Sequence, residues 1–245
     1  MINIVIPMAG YGSRFAKAGF NDPKPLILVN DKPMIELVIE NLKPSKKHRF
    51  IFICQAEHIK HYPLRILLEE KAPGCEVIEV SNVTEGAACT VLLAKEFINN
   101  QDQLMIANCD QYIDVDINQY LAALEDVSID GLIMTMKAFD NKWSFIKLNE
   151  KNDVTLVVEK EVVSDEATVG IYNYKHGSDF VVAAEQMIAK NSRVNNEFYV
   201  APAYNEMIRN GLSIKHFNIG CIGHEMHGLG TPEDLVDYLT FLSDK

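Results

Sequence analysis

The chain has 245 residues, of which 48% are hydrophobic and 23% charged. That composition excludes disorder and suits one large domain with a real core, or one core carrying a smaller lobe. Thirty-four acidic residues against twenty-three basic ones give a formal charge of −11. This is the wrong balance for a duplex or RNA binder, so no nucleic-acid partner is expected. No apolar run approaches the roughly 20 residues of a membrane span, and the opening segment Met1 to Pro7 is too short for a secretory leader and lacks a basic flank. Cys54, Cys75, Cys89, Cys109 and Cys221 are scattered and odd in number, which points to reduced thiols in a cytoplasmic protein rather than a disulfide framework or zinc site.

In chain order, Ile2 to Ile6, Phe50 to Cys54 and Leu104 to Ala107 read as buried strands, being short Ile-rich apolar runs followed by polar turns. Between them, Pro33 to Leu42, His58 to Glu70 and Ala87 to Ile98 carry helical spacing. Asp116 is placed to cap a helix ending near Leu124. The second half changes character, with strands expected at Gly131 to Met136, Ser144 to Leu148, Val154 to Val158 and Ala167 to Tyr172. Helices return at Ser178 to Ala189, Asn196 to Arg209 and Pro232 to Leu242. Thr231 is the expected N-cap of the last, Pro232 stands at its first position, and Glu233 and Asp234 fill the first turn. Strands alternating with helices predict a three-layer α/β fold. With no Gly/Ser/Pro linker, one domain over 1–245 is expected: a first part near 1–130, a second over 131–230 with an inserted sheet lobe, and a C-terminal helix in 231–245.

The most informative stretch directly follows the first strand: Met8, Ala9, Gly10, Tyr11, Gly12, Ser13 and Arg14, then Pro23, Lys24 and Pro25. Gly10 and Gly12 allow a close backbone turn in which N–H groups face phosphate oxygens. Arg14 offers a planar fork and Lys24 a point charge to a triphosphate. The loop is neither a Walker A motif nor a full dinucleotide fingerprint, and Gly-Tyr-Gly alone also suits a purely structural turn. Asp110, just beyond the third strand, is either a turn residue or a hard oxygen ligand for Mg²⁺.

Taken in order, these motifs resemble the sugar-phosphate nucleotidyltransferases, or nucleoside-diphosphate-sugar pyrophosphorylases, over nearly the whole chain. The resemblance includes Glu85-Gly86-Ala87-Ala88, Asn108-Cys109-Asp110, Val158-Glu159-Lys160, Val169-Gly170-Ile171-Tyr172 and Gly230-Thr231-Pro232-Glu233. It implies a Rossmann-like fold with a mixed central sheet, a nucleotide-binding part near 1–130 and an acceptor-binding part over 131–230, in a minimal form without a C-terminal β-helix, with a homo-oligomer as an option. Asp110 would bind Mg²⁺, and Arg14, Lys24, Asp110 and Lys160 would be the catalytic set. Asn82, Glu85, Gly86 and Ala87 would approach the nucleotide. Asn108, Glu159, Gly170, Asn173 and Glu197 would approach the acceptor.

One departure stands out. Where the family places a second metal-binding aspartate, this chain has Gly228 in Met226-His227-Gly228-Leu229-Gly230-Thr231. His227 is then a substrate contact, an imidazole ligand or a structural residue. The implied reaction joins a nucleoside triphosphate, with a pyrimidine favoured, to a sugar phosphate and releases pyrophosphate. Open alternatives are a cytidylyltransferase for a non-sugar phosphorylated metabolite, and a nucleotide-sugar glycosyltransferase using Asp114-Val115-Asp116 as its metal motif. A non-catalytic nucleotide sensor is a third.

Overall fold

In the computed structural model, which describes residues 1–243, the strands in chain order are β1 (Ile2–Met8), β2 (Leu28–Val29), β3 (Lys32–Pro33), β4 (His48–Gln55), β5 (Glu76–Val80), β6 (Gln103–Ala107) and β7 (Gln111–Ile113). They continue with β8 (Gly131–Lys137), β9 (Ser144–Leu148), β10 (Val154–Glu159), β11 (Glu166–Tyr174), β12 (Ile214–Cys221) and β13 (Met226–Gly228). The final two positions of the expected C-terminal segment lie outside the described residues.

β1 is apolar on both faces, as a strand buried between two helical layers must be. It pairs in parallel with β4 on one side and β6 on the other, with Ile4 opposite Phe50 and Met105. Its side chains alternate between two cores. Ile2, Ile4, Ile6 and Met8 pack against the helices Met34–Leu42, Leu64–Lys71 and Ile117–Ala123, while Val5 faces the helices Ala87–Leu92, Gly177–Ala189 and Ala203–Arg209. Three layers result. β5 adds to β4 in parallel, and β11 adds antiparallel to β6 and β8. β12 closes the far edge beside β8, and the β9–β10 hairpin attaches to the first half of β11. The central sheet is thus mixed and nine-stranded, with β2–β3 and β7–β13 as two small antiparallel ribbons. β8 to β12 extend the main sheet. Among the described residues no helix is long and apolar enough to cross a membrane.

A third small core joins the last helix, Pro232–Ser243, to the loop after β1. Leu235 and Tyr238 pack with Phe15, Ile27, Met34 and Leu229. This ties residues more than 200 positions apart in sequence, and it fixes which part of the last helix looks into the site.

Several expected helices differ. The 58–70 helix is two, Ala56–His61 and Leu64–Lys71, because Pro63 takes the capping position of the second. The 87–98 helix breaks at Leu93 and Ala94. The expected Asn196–Arg209 helix forms only over Ala203–Arg209. Asn195 and Asn196 adopt left-handed φ of 50° and 63°, and Val194 bridges Glu197. The Phe198 backbone is used elsewhere: its N–H donates to the Glu85 carbonyl at 2.8 Å, and its carbonyl accepts from Ala88 at 3.0 Å. β5 and β12 were not expected from the sequence; both are partly exposed strands whose polar residues interrupt the apolar run.

Gly86 makes the Phe198 clamp possible. Its φ is +132°, and a Cβ there would lie 2.5 Å from both the N and the O of Phe198. Gly86→Ala is therefore expected to destabilise the fold by roughly 1–3 kcal/mol. Gly10→Ala, whose Cβ would meet nothing within 4 Å, is expected to stay within about 0.5 kcal/mol of the parent. Urea unfolding of the two variants checks the contrast.

Candidate active site

After β1 the chain builds outward through β4 and β5, then returns to place β6 on the other flank of β1. The carboxyl ends of β1 and β6 therefore stand side by side where the strand order reverses. Backbone that continues past such a switch point must diverge to either side, which opens a crevice for ligands. The loop from Ala9 to Arg14 forms one lip and Asn108 to Asp110 the other. Gln55, at the end of β4, donates from Nε2 to the Ala9 and Gly10 carbonyls at 2.9 and 3.1 Å and holds the first lip in place.

Gly12 has φ +59°, and a Cβ on it would sit 3.2 Å from Lys24 Cβ. The left-handed turn and the close approach of Lys24 are thus one requirement. Lys24 begins a single 3₁₀ turn, Lys24–Leu26, and its Nζ donates to Asp110 Oδ2. Burial works to lower the Lys24 pKa, but the neighbouring Asp110 carboxylate outweighs it and holds the ammonium above its ordinary value. Cys109 lies beside this pair, yet burial pushes its thiol up to about 11. It stays protonated at neutral pH and does not provide a ready nucleophile.

Four adjoining cavities make up the crevice. Met8, Gly10, Gly12, Lys24, Asn108 and Asp110 help line one of about 270 Å³. Ser13 and Arg14, with Lys24 and Gly230, line another of about 220 Å³. A third, of about 360 Å³, lies over the sheet and includes Arg14, Ala87, Asn108, Glu159, Lys160 and Gly170. Glu197 also lines it. The fourth, about 120 Å³, joins Asp110 to Gln111, Gly228, Gly230 and Asp234. Asn108 borders three of the four.

In the third cavity, Lys160 holds an unusual φ of +56°, and its Nζ donates to the Tyr199 hydroxyl at 2.7 Å. Glu159 is buried beneath it and accepts from Ser144 Oγ. Burial raises the Glu159 carboxyl above its ordinary value, against the lowering pull of Ser144 and Lys160. Lys142 lies 5.0 Å over the Trp143 ring and 3.6 Å from Asp234 Oδ1. The cavity thus has aromatic walls in Trp143 and Tyr199, buried polar groups at its floor and cations at its rim.

The structure places other expected site residues apart from these cavities. Asn82 sits in an exposed turn, and Glu85 pairs with Arg193 at 2.5 Å. Asn173 is fully buried in β11, with both polar side-chain atoms lacking hydrogen-bond partners. His227 is 4% exposed and enclosed by Phe241, Tyr238 and Tyr112, with Nε2 2.8 Å from the His224 carbonyl. Asp116 caps the helix Ile117–Ala123 through its contact with the Asn118 N–H, so Asp114 and Asp116 are not presented together as a metal motif. Conversely, Gln55, Gln111, Lys142, Trp143, Tyr199 and Asp234 border or support the crevice and were not singled out as site residues in the sequence. Trp143, the sole tryptophan and adjacent to Lys142, was the available signal.

The site is thus that of an α/β protein with a mixed sheet, a lysine–carboxylate pair at its switch point and a second lysine across an adjoining polar cavity. The family model described as "Nucleotidyl transferase" matches residues 4–220, and the chain belongs to that family. It is 25% identical to the bifunctional protein GlmU of Methanococcus maripaludis over 86% of this chain and 48% of that protein. It is 24% identical to the D-glycero-alpha-D-manno-heptose 1-phosphate guanylyltransferase of Campylobacter jejuni over 69% of this chain and 73% of that one. Among the curated relatives matched, it spans about half the length of the M. maripaludis protein. Among solved structures, the nucleoside-diphosphate-sugar pyrophosphorylase of Vibrio cholerae superposes with a TM-score of 0.79 at 28% identity, covering 97% of this chain and 99% of that one. A glucose-1-phosphate thymidylyltransferase described as putative, from Bacillus anthracis, shares the fold with a TM-score of 0.80 at 18% identity, covering 100% and 96%.

The raised Glu159 carboxyl has a measurable consequence. Because the folded state holds this proton more tightly than the unfolded chain, its contribution to stability is fully present below the ordinary carboxylate value of 4.5 and is lost as pH rises through the folded pKa. Glu159→Gln, which mimics the protonated form, is expected to be more stable than the parent above that range and equal to it at lower pH. Denaturation midpoints between pH 4 and 8 check this.

Proposed function

We propose that the protein is a Mg²⁺-dependent nucleotidyltransferase that joins a nucleoside triphosphate to the phosphate of a sugar-like metabolite and releases pyrophosphate. The observation that carries this reading is the Lys24–Asp110 pair at the switch point, opening toward Lys160 in the neighbouring cavity. The first cavity has the charges for a triphosphate. The third cavity has what a phosphorylated polyol needs: cations for its phosphate, Glu159 and Ser144 for hydroxyls, and Trp143 and Tyr199 as flat walls for the ring.

In the proposed reaction, an acceptor phosphate oxygen attacks the α-phosphorus and the bond to the β-phosphate oxygen breaks, so pyrophosphate leaves. That oxygen is already anionic, so no strong base is required, and the work falls on alignment and charge stabilisation. Lys160 orients the acceptor phosphate and offsets its repulsion from the triphosphate. Lys24 and Arg14 meet the triphosphate and the charge that builds on the departing pyrophosphate. Asp110 already holds a cation, the Lys24 ammonium, which is the behaviour a metal-binding carboxylate requires. Among the described residues no cluster of three or more His, Cys, Asp or Glu side chains forms. The donor set therefore suits an ion shared with substrate phosphates and water. Bound there, Mg²⁺ would supply charge neutralisation across the triphosphate oxygens.

A pyrimidine preference is part of the proposal and follows from the resemblance. The guanylyltransferases among the relatives make the base the first variable to test. Purified protein with Mg²⁺, each NTP and dTTP, and a panel of phosphorylated sugars and amino alcohols is expected to release pyrophosphate and form a nucleoside-diphosphate product detectable by mass. Lys24→Ala and Asp110→Ala are each expected to lower turnover by roughly 10²-fold or more. Lys160→Ala is expected to act chiefly on KM for the acceptor. Absence of product across the panel would overturn the reading, and transfer of sugar from a supplied nucleotide-sugar would replace it with glycosyl transfer.

A further inference from the structure

Gly228 stands where the family resemblance calls for a second acidic residue, and its backbone is well placed for one. β13 pairs with β7 so that Gly228 lies opposite Gln111, and the Leu229 N–H donates to the Asp110 carbonyl at 2.7 Å. A side chain at 228 would start in contact with Asp234. A Cβ on Gly228 would lie 3.3 Å from Asp234 Cγ and 3.5 Å from Asp234 Oδ2. A Cβ on Gly230 would lie 2.9 Å from Asp110 Oδ2 and 3.7 Å from Asp234 Oδ2. Asp110 Oδ2 and Asp234 Oδ2 therefore converge on the same side of Gly230, and no side chain of residues 228 or 230 stands between them.

We infer that Asp234, from the first turn of the C-terminal helix, supplies the second metal-binding carboxylate of this site in place of residue 228. The inference rests on the nucleotidyl-transfer reading for the identity of the ion and deepens it. Asp234 is fixed by its own backbone, whose N–H donates to Thr231 Oγ1 at 3.1 Å. The third core anchors the same turn through Leu235. An acid in a first helical turn is ordinarily explained by the helix dipole. Glu233 meets that description and is exposed, whereas Asp234 is partly buried and lines the cavity with Asp110.

Gln111 gives an independent pointer. It is 3% exposed and lines the same cavity, and its Nε2 has no hydrogen-bond partner. A buried amide donor left without an acceptor is costly, and an oxygen of a bound phosphate or of the ion's water shell would satisfy it. Two carboxylates, substrate phosphate oxygens and water make an oxygen set of the kind Mg²⁺ takes. Lys142, 3.6 Å from Asp234 Oδ1, covers the oxygen of Asp234 that does not face Asp110.

The test is binding of Mn²⁺ alone, read by water-proton relaxation with the full chain, so that no nucleotide, acceptor or turnover enters. Compared with the parent, Asp110→Asn and Asp234→Asn are each expected to weaken Mn²⁺ binding by about tenfold or more, and Glu233→Gln is expected to leave it unchanged. The double variant Gly228→Asp/Asp234→Ala moves the carboxylate back to the strand and is expected to restore binding, which a merely structural role for Asp234 would not allow. Thermal melting of each variant shows that it is folded. Parent-like binding by Asp234→Asn would overturn the inference, as would an equal loss in Glu233→Gln, failure of the double variant to recover, or no Mn²⁺ binding by the parent. Failure of the transfer reading would appear separately, as absence of product in the substrate panel.

Discussion

Two parallel strands, β1 and β6, end beside each other at the reversal of strand order, and a lysine and a carboxylate meet across their ends. Much of the structure serves that contact. Gly12 gives up its side chain so that Lys24 can approach. The β4 residue Gln55 braces the loop from behind, and Asp110 follows directly from a β6 strand buried through Ala107. A partly buried ion pair is a poor source of net stability, because desolvation offsets most of the attraction, but loss of either member leaves a charge without compensation. Such a pair is better understood as a polar device held ready. In the proposed reaction the ammonium leaves the carboxylate for a phosphate as another cation takes its place.

The second half of the sheet continues this arrangement. β11 pairs with β6 through its later residues and with β9 through Ala167. Between those stretches Gly170, at φ +88°, faces Asn108 and Gln111 so closely that a Cβ would meet their side chains within 2.5 Å. The strand therefore changes partners where the cavity lined by Lys160 meets the one lined by Gln111. Lys160, Glu159 and Tyr199 are brought to the same crevice as Arg14 and Asn108 by this branching, although they come from distant parts of the chain. The Phe198–Gly86 clamp closes the other side by pinning the segment that carries Glu197 and Tyr199 to the start of the helix Ala87–Leu92.

The C-terminal helix has a similar double use. Its apolar face forms a small core with Phe15 and Met34 under the loop that follows β1, and its first turn looks into the cavity beside Asp110. His227, one residue before the missing acid, faces an aromatic cluster instead. Successive residues of a strand point to opposite sides, so the neighbour of an absent ligand is poorly placed to replace it. A residue from another element can do so if packing holds that element in position.

By itself, the sequence determined the three-layer class, most of the buried strands, the loop from Gly10 to Arg14, the Lys24 position, Asp110 and the capped last helix. These are local signals: apolar runs, Gly and Pro at fixed offsets, and a carboxylate after a strand. Tertiary structure alone decided the partly exposed strands β5 and β12, the truncated helix at Ala203–Arg209, the burial of Asn173 and the approach of Asp234 to Asp110. The physical reason is the same in each case. An edge strand, a backbone clamp and a shared cavity are contacts between residues far apart in the chain, and no local pattern of polarity records which distant surface will arrive beside them.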